Sequence, residues 1–262
     1  MIIPVFGRIY GNIEGLFNTL QHLQKKTGNT YSSVIQLGDM GYFKEKKLLK
    51  YMQKHEARLV DGTQRFLTNS EMYDRYFINL AGKEKLSCKI LFIEGVNDDH
   101  ALLQSLRNLH PVSCVGADSY GMLQFLPTGE GIAYYIDRAR EVHVEGFGYN
   151  AGNAREIEQN LPLTADILLS YSEFNTNKEA KKSCEERCKE KGIALHLYGI
   201  SNNSSSFTTS SVLLPTFALT AMPSSLHPYK ENENFFGCIQ ISTKEDYAFI
   251  SGKDSLLEDQ RG

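Results

Sequence analysis

The first third of the chain alternates short apolar runs with a helical pattern. Residues 2–6 and 33–37 are mostly apolar and contain β-branched side chains, which favours strands. Between them, apolar residues recur at the spacing of one helix face, at Ile13, Leu16, Phe17, Leu20 and Leu23. Residues 88–94 form a third run. Because these runs do not alternate with polar positions, we expect strands that are buried on both faces of a sheet covered by helices.

The remainder of the chain predicts more strands and fewer helices. Turns separate short apolar runs over residues 111–147, which indicates an antiparallel region with strands at 112–115, 122–125, 132–136 and 142–144. Helical patterns cover 151–160 and 177–191, and residues 201–206 form a polar loop. Further strands are predicted at 165–169, 193–198, 211–220, 236–242 and 246–250. The sequence therefore predicts an α+β protein with strand–helix units early and antiparallel strands late, built as two mixed sheets stacked between helices.

Residues 41–87 differ from their surroundings in their density of basic and aromatic side chains. Their basic residues include Lys44, Lys46, Lys47, Lys50, Lys54, Arg58 and Arg65. We predict a largely helical insert here. Its lysines form either an ordinary solvated helix face or a local patch for an anionic ligand.

The composition is that of a globular protein. Of the 262 residues, 41% are hydrophobic and 23% are charged, which excludes disordered, collagen-like and coiled-coil chains. The formal net charge is −3, so only a local basic patch could bind nucleic acid. No apolar run is long enough for a transmembrane helix, and the first residues lack the basic region of a signal peptide. We therefore expect no membrane partner. Five cysteines, an odd number without an export signal, predict reduced thiols and a cytoplasmic location.

Five stretches with polar or glycine residues follow predicted strands, where layered α/β proteins place their functional loops. They are Gly7-Arg8-Ile9-Tyr10-Gly11-Asn12, Gly38-Asp39, Gly95-Val96-Asn97-Asp98, Leu168-Leu169-Ser170-Tyr171 and Tyr198-Gly199-Ile200-Ser201-Asn202. Their order and spacing resemble the calcineurin-like metallophosphoesterases over about residues 1–205. In that family the motifs are Asp-x-His-Gly-Asn, Gly-Asp, Gly-Asn-His-Asp/Glu, a lone His and Gly-His-x-His. They ligate two divalent metals that activate water against a phosphate ester.

The resemblance implies a four-layer α/β/β/α sandwich of two mixed sheets. The metallophosphoesterase-like domain would cover residues 1–252, with the helical, Lys-rich insert at 41–87 and a flexible tail at 253–262. The long insert between the second and third motifs also gives the layout a slight similarity to the RNA lariat-debranching enzymes.

Most metal-ligand positions of this family hold another residue type here. Arg8 and Tyr10 stand for the first Asp and His, Val96 and Asn97 for the ligand Asn and the catalytic His, Tyr171 for the lone His, and Ile200 and Asn202 for the paired His residues. Asp39 keeps the type of the metal-bridging Asp. Gly11, Asn12 and Asp98 also fit the pattern.

These replacements change the chemistry that the motifs can support. Two neighbouring divalent cations need several carboxylate or imidazole ligands, and the side chains of Val96 and Ile200 have no lone pair to donate. Arg8 adds a permanent positive charge. We therefore expect no metal cofactor. A buried Asp39 still needs a partner, because an uncompensated buried carboxylate is costly. We expect the Arg8 guanidinium to lie where a metal would, paired with Asp39, and Asp98 is a second candidate partner.

Three functions fit this pattern. The first is a catalytically inactive or impaired metallophosphoesterase-like protein, a pseudoenzyme, that binds a protein partner or a phosphate-bearing ligand. Its predicted ligand-binding residues are Arg8, Tyr10, Asn12, Asp39, Tyr171 and Asn202.

The second function is a phosphoesterase or phosphodiesterase with one divalent metal, such as Mn, Fe or Zn. The metal would lie on Asp39, Asp98 and His196 or His100, with Asn97 and Asp98 at the family's catalytic positions. A shifted register would give His196 the place of a paired His. The third function is a nucleic-acid-binding module that uses the basic insert.

Overall fold

A computed structural model describes most of the chain. The described residues are 1–55, 59–78, 85–109, 113–137, 140–149, 165–171, 178–200, 214–220, 222, 235–243 and 246–252. Their strands are β1 (Ile2–Phe6), β2 (Ser33–Gln36), β3 (Lys89–Phe92), β4 (Val115–Gly116), β5 (Leu123–Phe125), β6 (Glu130–Asp137), β7 (Arg140–Phe147), β8 (Ile167–Ser170), β9 (Leu195–Gly199), β10 (Thr216–Leu219), β11 (Phe236–Thr243) and β12 (Asp246–Ser251). Their helices are α1 (Ile13–Thr27), α2 (Lys46–His55), α3 (Gly62–Thr68), α4 (Ser70–Tyr73), a π-helical turn at Asp74–Ile78, α5 (His100–Leu109) and α6 (Lys178–Glu190).

The strands form two mixed sheets, as the sequence predicts. The first has seven strands in the order β12-β11-β1-β2-β3-β5-β4, and the second has five in the order β10-β9-β8-β7-β6. In the first sheet β1, β2, β3 and β5 are parallel, whereas β11, β12 and β4 run antiparallel to their neighbours.

The expectation of antiparallel strands in the second half of the chain is wrong for part of the second sheet. Strands β7, β8, β9 and β10 are mutually parallel, and β6 alone of these five runs antiparallel. The chain passes through α6 between β8 and β9, and such a helical crossover returns the chain in the same direction. The region at 111–147 is also divided, because β4 and β5 belong to the first sheet and β6 and β7 to the second. The helix predicted at 151–160 and the loop predicted at 201–206 lie outside the described residues.

Apolar side chains fill three interfaces between four layers. One cluster lies between the sheets and contains Val5, Ile35, Leu91, Leu169 and Leu197 among others. A second joins the other face of the first sheet to α1, α3, α4, the π-helical turn and α5. A third packs Cys188 of α6 on Leu168 of the second sheet. The α/β/β/α sandwich predicted from the resemblance is therefore present.

Helix α1 shows how local sequence sets these layers. Its apolar positions, including Leu16 and Leu20, are fully buried against the first sheet. The helix begins after Asn12, whose side-chain oxygen accepts a hydrogen bond from the Gly15 N–H. It ends at Gly28, which adopts the left-handed conformation with φ +67°. Among the described residues, no helix combines the length and hydropathy needed to cross a bilayer.

The intersheet core should determine most of the stability of the sandwich. Leu169 of β8 is fully buried there, so Leu169→Ala is expected to lower the free energy of unfolding by about 3 kcal/mol. The matched control is Tyr135→Ala on β6, where the side chain is 69% exposed, and we expect a change within about 0.5 kcal/mol. Urea denaturation measures both, and equal effects would contradict this assignment of the core.

Candidate functional site

The residues predicted to form a site meet at the carboxyl ends of strands from both sheets. Arg8 follows β1, Asp39 follows β2, Asp98 follows β3 and Tyr171 follows β8. We call these four residues the strand-end cluster. All four are buried, with at most 9% of each residue exposed.

Arg8 connects the two sheets. One guanidinium nitrogen, Nη2, donates to the carbonyl oxygens of Tyr171 at 2.9 Å and of Gly199 at 3.1 Å. The guanidinium carbon lies 3.8 Å from the centroid of the Tyr171 ring, a cation–π contact. Its Nε lies 3.7 Å from Oδ2 of Asp39, which makes an ion pair beyond hydrogen-bond distance. The predicted pairing of Arg8 with Asp39 is confirmed. No ion pair between Arg8 and Asp98 is found among the described residues.

Asp39 is fully buried, and both of its carboxylate oxygens accept hydrogen bonds. The Asn97 N–H donates to Oδ1 at 2.8 Å, and the Tyr171 hydroxyl donates to Oδ2 at 2.9 Å. Burial raises the pKa of Asp39 above its ordinary value, whereas the charge of Arg8 and these two donors act in the opposite direction. Burial and the Asp39 charge also raise the pKa of Tyr171, so its hydroxyl stays protonated and remains a donor.

Asp98 joins two loops through backbone hydrogen bonds. Its Oδ1 accepts from the Tyr42 N–H at 2.8 Å, and its Oδ2 accepts from the Gly95 N–H at 2.7 Å. Burial, together with the nearby Asp39 carboxyl, raises the pKa of Asp98 to about 8. The cap of α5 is the next residue, Asp99, whose Oδ1 accepts from the Leu102 N–H at 3.0 Å.

Tyr10 and Asn12 lie in the loop after β1. The Tyr10 side chain is 3% exposed and packs with Phe43, Leu49 and Leu59, under α2. Asn12 is also buried and caps α1 through its side chain. Apolar packing and helix capping thus account for the burial of both side chains.

His196 does not join the strand-end cluster. Its neighbours Leu195 and Leu197 face the intersheet core, so alternation along β9 directs His196 to the opposite face of the second sheet. There it is fully buried, and its Nε2 lies 2.7 Å from the Ser170 hydroxyl oxygen. The set Asp39, Asp98 and His196 is therefore not brought together. Ile200 follows β9, and its N–H donates to the Leu219 carbonyl oxygen. Asn202 lies outside the described residues.

The residues of the cluster do not fit a metal ion. The carboxylate oxygens of Asp39 and Asp98 point at N–H and O–H donors, and the Arg8 guanidinium lies beside Asp39. A divalent cation would need those oxygens as ligands and would be repelled by the guanidinium. Within the described ranges, no three His, Cys, Asp or Glu side chains are grouped so that they could hold a metal ion.

A pair that the sequence motifs do not predict lies beside the cluster. Oε1 of Glu94 is 2.5 Å from Nδ1 of His100, and the Glu94 residue is 8% exposed. The His100 ring stacks on Tyr149 at 5.7 Å between centroids, and Tyr149 meets the Tyr171 ring edge to face. The sequence feature that could have identified Glu94 is its carboxylate at the end of an apolar run. Sequence spacing carries no signal for Tyr149, which comes from the second sheet.

Removing the Arg8 charge should destabilise the fold. Arg8→Met keeps much of the side-chain volume but leaves Asp39 buried without a cation, and we expect the free energy of unfolding to fall by about 3–5 kcal/mol. The double variant Arg8→Met/Asp39→Asn should recover part of the loss, because it removes the unpaired buried charge. Urea denaturation of the wild type, both single variants and the double variant measures this coupling. Additive losses would contradict it.

The raised pKa of Asp98 predicts a pH dependence of stability. Between the ordinary carboxyl value of 3.8 and the folded value of about 8, the folded protein holds a proton that the unfolded chain releases. The contribution of Asp98 is therefore complete below the ordinary value and decreases as the pH rises through the folded value. We expect the Asp98 carboxyl carbon, followed by NMR, to titrate near pH 8. A midpoint below about 5 would contradict the assignment.

The fold is similar to a solved structure, although sequence comparison finds no relative. No family model and no curated protein matches the sequence. The structure is similar to that of GAP50, described as the anchor in the inner membrane complex of Plasmodium, with a TM-score of 0.50 and 12% sequence identity. The similarity covers 98% of this chain and 86% of that chain. At this level of identity the likeness shows a shared fold and no more.

Proposed function

We propose that this protein is a non-catalytic member of the calcineurin-like metallophosphoesterase superfamily that acts by binding a protein partner. One observation carries the proposal. The Arg8 guanidinium is paired with Asp39 at the strand ends where the family that the sequence resembles binds its metals. A fixed organic cation thus provides charge compensation that two inorganic cations provide in that family.

The neighbouring positions support the same conclusion. Val96 has no donor atom, and the side chains of Asp39 and Asp98 are already engaged by donors from the protein itself. No cofactor is part of the proposal.

A protein partner is favoured over a phosphate-bearing ligand at the cluster. The Arg8 side chain is only 10% exposed, and its contacts with Asp39, Tyr171 and Gly199 use the guanidinium. An incoming phosphate would have to displace Asp39 and would be repelled by it. A phosphate-bearing ligand, the one-metal phosphoesterase and the nucleic-acid-binding module are the alternatives that experiments must separate. A cytoplasmic location is also part of the proposal, based on the cysteine content of the sequence.

Metal content and hydrolysis test the proposal directly. We expect purified protein to hold far less than one equivalent of Mn, Fe or Zn by elemental analysis. We also expect no hydrolysis of an aryl phosphate or an aryl phosphodiester with added Mn²⁺, because the cluster lacks ligands that could activate a water. The matched control is Asp39→Asn, which should give the same background rate. Stoichiometric metal, or hydrolysis that Asp39→Asn abolishes, would establish the one-metal enzyme instead.

A further inference from the structure

A row of lysines covers the solvent side of α2 and the residue that leads into it. Lys44, Lys46, Lys47 and Lys50 are all exposed, and we call these four residues the lysine face. Lys47 lies 2.6 Å from Glu45, which is itself exposed. In the part of the chain that the structure describes, no carboxylate lies within ion-pair distance of the other three lysines.

Several other basic side chains on the surface lie in ion pairs. Arg65 and Arg75 both contact Glu14, at 3.6 Å and 2.8 Å. In α6, Lys182 lies 3.7 Å from Glu186. The lysine face therefore carries a local excess of positive charge on a chain whose formal net charge is −3. Such an excess attracts negatively charged groups within about 10 Å at moderate ionic strength.

The lysine face is held next to the strand-end cluster. Leu49, on the opposite side of α2, is 8% exposed and packs with Tyr10 and Phe43. The Tyr10 N–H in turn donates to the Asp39 carbonyl oxygen at 2.8 Å. The apolar side of α2 therefore packs on the loop that leads to Asp39, and the lysine face lies on the side of the helix away from these contacts.

We propose that the lysine face is the docking surface for an acidic segment of a partner protein, rich in Asp and Glu. This inference rests on the proposed binding function. Ammonium groups act as point charges that accept carboxylates in many orientations, so a flexible acidic segment can pair with several lysines at once.

The size and chemistry of the face argue against the two other polyanions. Helix α2 has ten residues and is about 15 Å long, so a nucleic acid longer than a few base pairs would extend beyond the lysine face. Nucleic-acid-binding domains are usually basic as a whole. Membrane-binding amphipathic helices insert their apolar side, whereas Leu49 on α2 is already buried in the protein.

Binding of a labelled oligoglutamate peptide tests the inference. Fluorescence anisotropy at low salt is expected to show binding that weakens as salt is added. The triple variant Lys46→Glu/Lys47→Glu/Lys50→Glu should weaken binding about tenfold or more. The matched control, Lys182→Glu/Lys189→Glu, changes exposed lysines on α6 and should bind like the wild type. Circular dichroism checks that both variants are folded.

The outcomes distinguish failure of the docking surface from failure of the proposed function. Loss in the triple variant alone supports the docking surface. Equal loss in the α6 control, or no binding of oligoglutamate at low salt, overturns the docking surface. In that case, the absence of bound metal and of hydrolysis would still support the non-catalytic assignment. Tighter binding of an oligothymidylate with matched charge would replace it with a nucleic-acid surface. Cosedimentation with phosphatidylserine vesicles, lost in the triple variant, would replace it with a membrane surface.

Discussion

The contacts of one guanidinium group connect the two halves of this fold. Arg8 follows a central strand of the first sheet, and it hydrogen-bonds carbonyl oxygens at the ends of β8 and β9 in the second. The same group offsets the charge of Asp39, which is fully buried. Loops from both sheets therefore depend on a single cation, because each carboxylate or carbonyl that it contacts would otherwise be buried with less compensation. Tyr171 completes the arrangement by covering the guanidinium with its ring and donating its hydroxyl to Asp39.

The backbone of these loops is strained at two positions. Tyr10 and Asp39 both have positive φ angles, +48° and +53°, which residues with a Cβ rarely adopt. Such conformations cost about 1–3 kcal/mol each and persist where the surroundings enforce them. Here the Tyr10 N–H bonds to the Asp39 carbonyl oxygen, so the two strained residues hold each other. The hydrogen bonds around these two residues therefore hold a backbone geometry that is costly in isolation.

Much of the fold and part of the cluster could be predicted from the sequence. The unbroken apolar runs around β1, β2 and β3 predict buried parallel strands, and parallel neighbours bring their carboxyl ends together, which places Arg8 near Asp39. The direction of β8 to β10 could not be read in the same way, because it depends on the crossovers between strands and not on their residues. His196 shows a second limit. Its position in the sequence suits a metal ligand. However, His196 faces the opposite side of β9 from Leu195 and Leu197, and only the packing of the two sheets shows which side faces the intersheet core. The Glu94–His100 pair forms because α5 begins at His100, and the sequence motifs do not specify where that helix begins.

Asp98 holds two loops of the strand-end cluster together. The family that the sequence resembles has an acidic residue at this place, and here its two oxygens bind the backbone N–H groups of Gly95 and Tyr42. Asp98 thus ties the loop after β3 to the loop after β2, while Asp39 receives the N–H of Asn97 from the other direction. In these hydrogen bonds, backbone N–H groups donate to the carboxyl oxygens of Asp39 and Asp98. They therefore do not depend on the side chains of Val96 and Asn97 or on those at the outer surface. The loops can therefore stay in position while the side chains at exposed positions change.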